Sequence, residues 1–254
     1  MRRIYRIDYK GQPRYAVEEG GEWRLVEGDI FGSFSAGESI APTGHRLLAP
    51  VMPSKIVCVG LNYKDHAAEQ KKPLPPEPLI FIKPSTAVIG PGDAIVLPAG
   101  AGRVDHEAEA GVVIGRRATR VREEEAHQYV LGITCINDVT ARALQDKNAG
   151  YTRAKGFDTF APLGPCIAQG LDYSRPEGLR VEGLVNGTVR QNSSTKELIF
   201  TIPMVIAFIS NIMTLLPGDV IATGTPSGIG PLNAGDTVTI RVEGVGELTN
   251  EVHP

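Results

Sequence analysis

The stretch Arg103-Val104-Asp105-His106-Glu107-Ala108-Glu109-Ala110-Gly111-Val112-Val113-Ile114-Gly115 starts charged and ends as a run of β-branched apolar residues. That composition belongs to a strand entering a core. Read as one strand, it projects Asp105, Glu107 and Glu109 from a single face, with alternate Cα atoms roughly 6–7 Å apart. Carboxylates so placed repel one another unless something cationic is shared between them. A divalent ion removes the repulsion, and ligation by oxygen alone favours Mg²⁺, Mn²⁺ or Ca²⁺ over zinc. A solvated strand edge, charged against aggregation, accounts for the same residues. The stretch alone leaves both readings open.

Working outward, a second apolar strand, Leu131-Gly132-Ile133-Thr134-Cys135-Ile136-Asn137-Asp138, ends in an acid that suits a third ligand or a helix N-cap. Helical spacing over residues 141–147 brings Arg142 and Gln145 toward the same end. Upstream, the strand Lys55–Gly60 runs into Leu61-Asn62-Tyr63-Lys64-Asp65-His66-Ala67-Ala68-Glu69. On a short helix His66 and Glu69 face the same way, which gives a histidine oriented by a carboxylate, the arrangement proton transfer needs. A solvated pair on a surface turn is the plainer alternative. Residues 70–78 carry Pro73, Pro75, Pro76 and Pro78 and form a loop, either a lid or a connector. The strand Leu79-Ile80-Phe81-Ile82-Lys83 follows. The irregular stretch 150–160 mixes bases with aromatics, as a loop reading an anion or a plain surface loop would.

Near the C-terminus, Leu184-Val185-Asn186-Gly187 signals a hairpin. A strand from Val220 runs into Thr223-Gly224-Thr225-Pro226-Ser227-Gly228-Ile229-Gly230, which lacks both the P-loop ending and dinucleotide spacing. Its backbone N–H groups suit a carboxylate. Residues 1–50 read as a small module of short strands with turns at Lys10-Gly11 and Gly20-Gly21, and residues 51–254 as the main domain.

A net charge of -3 and a pI near 6.0 give no electrostatic case for nucleic acid or an anionic membrane. Cys58, Cys135 and Cys166 sit among apolar neighbours, as buried free thiols in a reducing compartment do. The start lacks the apolar core of a signal peptide. The apolar stretch 198–216 carries Thr201, Pro203 and Asn211, so it reads as a buried helix rather than a membrane span. The expected location is cytoplasmic.

Four stretches, in order, resemble the fumarylacetoacetate hydrolase family: 62–69, 106–113, Asn137-Asp138-Val139-Thr140-Ala141-Arg142, and 223–228. The likeness covers residues 51 to about 250, and the N-terminal module resembles one carried by many bacterial members. It implies a mostly β (α+β) fold, a rolled mixed sheet, in a homodimer. It implies Mg²⁺ or Mn²⁺ held by Glu107, Glu109 and Asp138, with Asp65 supporting the site. It makes His66 and Glu69 the base dyad, Gln145 and Lys155 groups that polarise substrate, and Thr225 a carboxylate contact. Tyr151 and Lys83 are further expected substrate contacts. Where relatives often carry Arg, this chain has Leu61.

The expected substrate is a 2-oxo or 2-hydroxy acid whose enolate is stabilised electrostatically. The first reading is a 2-hydroxyhepta-2,4-diene-1,7-dioate isomerase of aromatic-acid catabolism. An acylpyruvate hydrolase or oxaloacetate decarboxylase uses the same constellation, and a non-catalytic, metal-dependent binder of diacids is the alternative of another class.

Overall fold

The computed structural model describes residues 1–145 and 150–254. Most of the regular structure is strand, as the many short apolar runs between Gly and Pro residues predict. The largest sheet runs Phe34–Ile40, Glu22–Gly28, Gln12–Glu19, Arg2–Tyr9, Ala161–Gln169, Val130–Asn137, Ala108–Ile114, Val220–Ala222, Ile56–Gly60 and Leu79–Lys83. It is mixed: Val220–Ala222 lies parallel to Ile56–Gly60, whereas Ala108–Ile114 is antiparallel to both of its neighbours.

Residues 1–50 supply the first four of these strands. Lys10-Gly11 and Gly20-Gly21 turn with positive φ, the geometry two-residue hairpins need. Arg2–Tyr9 then pairs antiparallel with Ala161–Gln169, so these strands extend the main sheet.

A five-stranded sheet, Thr188–Ser194, Arg180–Val185, Thr237–Val242, Gly246–His253 and Ile95–Val96, shares one core with the main sheet. Val112, Ile133 and Cys166 pack there with Val181, Val238, Ile240 and Leu248. The opposite face of the main sheet buries Val113, Ile136 and Leu163 with Ile4, Val17 and Val26. Burial on both faces explains why Ala108–Ile114 is apolar without alternation after Glu109.

The stretch 198–216 yields the helix Ile202–Ile212, begun by Thr201, whose side chain accepts the Met204 N–H, and by Pro203 in the first turn. Among the described residues, no helix is long and apolar enough to cross a membrane. The three cysteines are buried and free.

Three expected elements differ. Residues 103–115 are not one strand: Val104–His106 and Ala108–Ile114 are separate, with the break at Glu107. Val104–His106 leaves for a small sheet with Thr140–Ala141 and Gly230–Pro231. The cause is long-range, because the Glu107 N–H is taken by Asn137 Oδ1 at 2.9 Å. The predicted helix over 141–147 is a 3₁₀ turn, Arg142–Leu144, and residues 146 and 147 lie outside those described. The irregular loop at 150–160 contains a short helical turn, Thr152–Lys155.

Candidate active site

Splitting the strand at Glu107 redirects its acids. Asp105 does not share a site with Glu107 and Glu109; its two oxygens accept from Arg103 Nε (2.6 Å) and Arg142 Nε (2.9 Å). Glu107 and Glu109 converge instead with Asp138, their carboxylate oxygens lying within 4.8 Å of one another. Register places them: Ala108 pairs with Asn137, and the Asp138 N–H donates to Glu107 O at 2.9 Å. All three carboxylates are buried.

Their charges are compensated unequally. Lys155 Nζ donates to Glu107 Oε2 (2.7 Å) and to Asp138 Oδ2, and Arg142 Nη2 donates to Glu107 Oε1 (2.6 Å). Lys83 Nζ donates to Asp138 Oδ1 (2.5 Å) and Val139 O (3.0 Å). Burial pushes the Glu107 carboxyl up, but Lys155 and Arg142 together outweigh it and hold Glu107 down at about 2. Glu109 accepts only the Gly224 N–H, at 2.7 Å, among the hydrogen bonds of the described residues. Burial, with Asp138 and Glu107 beside it, drives its carboxyl well above the usual range.

A buried acid held by a neutral donor beside two carboxylates is a place where a cation could be held. The donors are all oxygen, which suits a hard divalent ion such as Mg²⁺ or Mn²⁺. Glu107, Glu109 and Asp138 therefore fit the expected ligand set.

The second group stands on the short helix Lys64–Glu69. His66, 5% exposed, faces Glu69 Oε2 through Nδ1 at 2.9 Å. Glu69 Oε1 in turn accepts the Gly228 N–H at 3.0 Å. The glycine-rich loop thus does hold carboxylates, and they are the protein's own, Glu109 and Glu69. Asp65 accepts from the His66 N–H (2.7 Å) and Ser193 Oγ (2.6 Å) and is not one of the three clustered acids.

Both groups open on one cavity of about 430 Å³, which His66, Glu107, Glu109, Asp138, Lys155, Gln145, Tyr151 and Thr225 all line. Leu61, Phe81 and Leu79 form apolar wall, and Gln70, Lys72 and Pro75 bring the 70–78 loop to its edge. Leu61 sits at φ 49°, a left-handed conformation uncommon for leucine. A larger open groove of about 680 Å³, lined by Glu123, Glu124 and Asp172 among others, contains none of these groups.

Two expected contacts have hydrogen-bond partners within the protein. Lys83 is fully buried, with its ammonium on Asp138, and is not among the residues lining the cavity. Thr225 Oγ1 donates its single proton to Ala108 O (3.0 Å) and accepts from Gln191 Nε2 (2.7 Å). With its proton engaged, the hydroxyl offers only acceptor capacity toward the cavity that Thr225 lines.

Sequence reading missed Arg142 as a site residue, although its position four residues after Asp138 was the available signal. It also missed Gln70, next to the dyad, and Gln191. Gln191 comes from the other sheet: its Oε1 accepts the Ala108 N–H at 2.9 Å, and its amide nitrogen holds Thr225 and Pro226 O. Nothing local in the sequence marks it.

Known proteins bear on this geometry. Residues 55–253 match the family model described as fumarylacetoacetate (FAA) hydrolase C-terminal, and residues 2–50 match Rv2993c-like, N-terminal. The crystal structure of a 2-hydroxyhepta-2,4-diene-1,7-dioate isomerase from Mycobacterium marinum is 41% identical, with TM-score 0.91 over 100% of this chain and 98% of that one. A 5-carboxymethyl-2-hydroxymuconate delta-isomerase from Mycobacterium smegmatis is 44% identical, with TM-score 0.91 over 99% of each chain. The oxaloacetate tautomerase YisK of Bacillus subtilis is 39% identical over 91% of this chain and 79% of its own length.

Proposed function

The chain belongs to the fumarylacetoacetate hydrolase family, and from that premise we propose that it is a divalent-metal-dependent isomerase. It moves a proton between carbon positions or between carbon and oxygen of a 2-oxo or 2-hydroxy dicarboxylic acid, with 2-hydroxyhepta-2,4-diene-1,7-dioate as the first substrate. The observation that carries this is the opening of the His66–Glu69 pair and the Glu107–Glu109–Asp138 cluster on one cavity. Similarity to two proteins named as isomerases and one named as a tautomerase supports proton transfer without bond cleavage.

When bound, Mg²⁺ or Mn²⁺ supplies the positive charge against which a 2-oxo acid is readily enolised. Glu107, Glu109 and Asp138 would hold it. His66 takes and returns the proton at Nε2, while Glu69 at Nδ1 fixes the ring and stabilises the charge it gains. Arg142, Lys155 and Gln145 line the substrate's polar side, and Phe81, Leu79 and Leu61 exclude water along its carbon chain. Such an enzyme acts in the cytoplasm as a homodimer, in keeping with the family expectation.

A second reading, tautomerisation of oxaloacetate, is favoured by the name of the Bacillus subtilis relative. It differs in the carbon chain and not in the work of His66. Purified protein with Mg²⁺ or with EDTA, given the dienedioate, oxaloacetate and an acylpyruvate, separates the readings by product. Metal-dependent rearrangement of the dienedioate at constant mass supports the first. Rearrangement of oxaloacetate alone supports the second. Loss of CO₂ or hydrolytic cleavage contradicts both.

A further inference from the structure

Both ring nitrogens of His66 have hydrogen-bond partners. A neutral imidazole has one N–H and one lone pair. Glu69 Oε2 only accepts, so the proton is on Nδ1 and the lone pair is on Nε2. That lone pair is covered: the Gln70 amide nitrogen lies 2.6 Å from Nε2 and donates to it. The orientation of this amide is determined, since its oxygen accepts from Lys72 Nζ and a flipped amide would set nitrogen against ammonium. The run Lys72, Gln70, His66, Glu69 and the Gly228 N–H is thus one chain of hydrogen bonds with each polarity fixed.

We propose that Gln70 is a positioning residue that caps the base, holding the His66 lone pair covered until substrate displaces it. The inference rests on the reading of His66 as the base. Gln70 is built for a side-chain movement: its backbone N–H is tied to His66 O at 3.0 Å, while its side chain reaches the cavity. The chain then turns away at Lys71 through φ 52°. Once His66 has taken a proton at Nε2, two donors face each other, so the contact exists only with the neutral ring. A covered lone pair also keeps water from holding the base.

The test is chemical and independent of turnover. Diethyl pyrocarbonate acylates the free lone pair of a neutral histidine, and peptide mass spectrometry follows His66 against the exposed His127 and His253. Gln70→Met keeps the bulk without the donor, and Gln70→Ala removes both. In both variants His66 is expected to react about two- to tenfold faster than in the unaltered protein, the range one net hydrogen bond allows. His127 and His253 keep their rates. Where turnover is measured, KM falls by a similar factor with kcat nearly unchanged. Unchanged or slower acylation in Gln70→Met overturns the proposal, and acceleration in Gln70→Ala alone reduces Gln70 to a steric shield, which also overturns it. Faster acylation in a protein that turns over none of the panel leaves the cap standing and removes the catalytic reading.

Discussion

Replacing Glu109 with Gln separates folding from metal binding. The carboxylate is 2% exposed, beside Glu107 and Asp138, and its hydrogen-bond partner is the neutral Gly224 N–H. Glutamine keeps the shape, and its amide oxygen still accepts from Gly224, so little packing changes. The charge goes, together with its repulsion of two neighbours. Because the folded-state pKa of Glu109 is raised, its ionisation costs stability as pH climbs above the unfolded carboxylate pKa, and at pH 7 that cost is present. Relief is worth about 1–4 kcal/mol by analogy with buried ionic groups replaced by uncharged residues of similar volume.

In EDTA, Glu109→Gln therefore unfolds at higher denaturant than the unaltered protein. With Mg²⁺ the order reverses, because binding to the folded state alone adds about 2.7 kcal/mol at a hundredfold excess over Kd, and the variant lacks the third carboxylate. Urea unfolding with and without Mg²⁺ reads both arms. A variant less stable than the parent in EDTA, or one stabilised by Mg²⁺ as much as the parent, refutes the electrostatic account of the cluster.

Lys155→Met leaves Glu107 and Asp138 facing each other without their bridging ammonium and is expected to cost about 3–5 kcal/mol in EDTA, with part restored by Mg²⁺, as unfolding curves report. His66→Ala keeps Mg²⁺ affinity by calorimetry within a factor of about two and loses about 10²–10⁴-fold in turnover, the usual worth of a positioned base. Gly224→Ala is strained at φ +102° and sets its Cβ 2.7 Å from Asn62 Cβ, so the loop must shift and pull its N–H from Glu109. The expected loss is about 1–3 kcal/mol of stability, with weaker Mg²⁺ binding.

The legible parts of the site were local. Glu107 and Glu109 stand two apart, His66 and Glu69 three apart, and Asp138 closes an apolar strand, so each group carries its geometry in its spacing. What the sequence hid was set by partners far along the chain. Asn137 Oδ1 breaks the strand at Glu107, and Arg142 draws Asp105 out of the acid cluster. The glycine-rich loop at 223–230 was readable as a carboxylate holder, but only the fold shows that its carboxylates are Glu109 and Glu69. Nothing in the sequence marks Lys83 as buried on Asp138. The N-terminal strands were legible as hairpins from their turns, whereas the pairing of Arg2–Tyr9 with Ala161–Gln169 spans more than a hundred residues.

Deuterium exchange at substrate carbon, followed by proton NMR in D₂O, tests the joining of base and metal cluster in one cavity most directly. The protein is given the dienedioate and oxaloacetate with Mg²⁺, with EDTA, and as His66→Ala with Mg²⁺. The account predicts rapid exchange into at least one substrate in the first case, and exchange near the uncatalysed rate in the other two. Exchange that persists in EDTA or without His66 contradicts it.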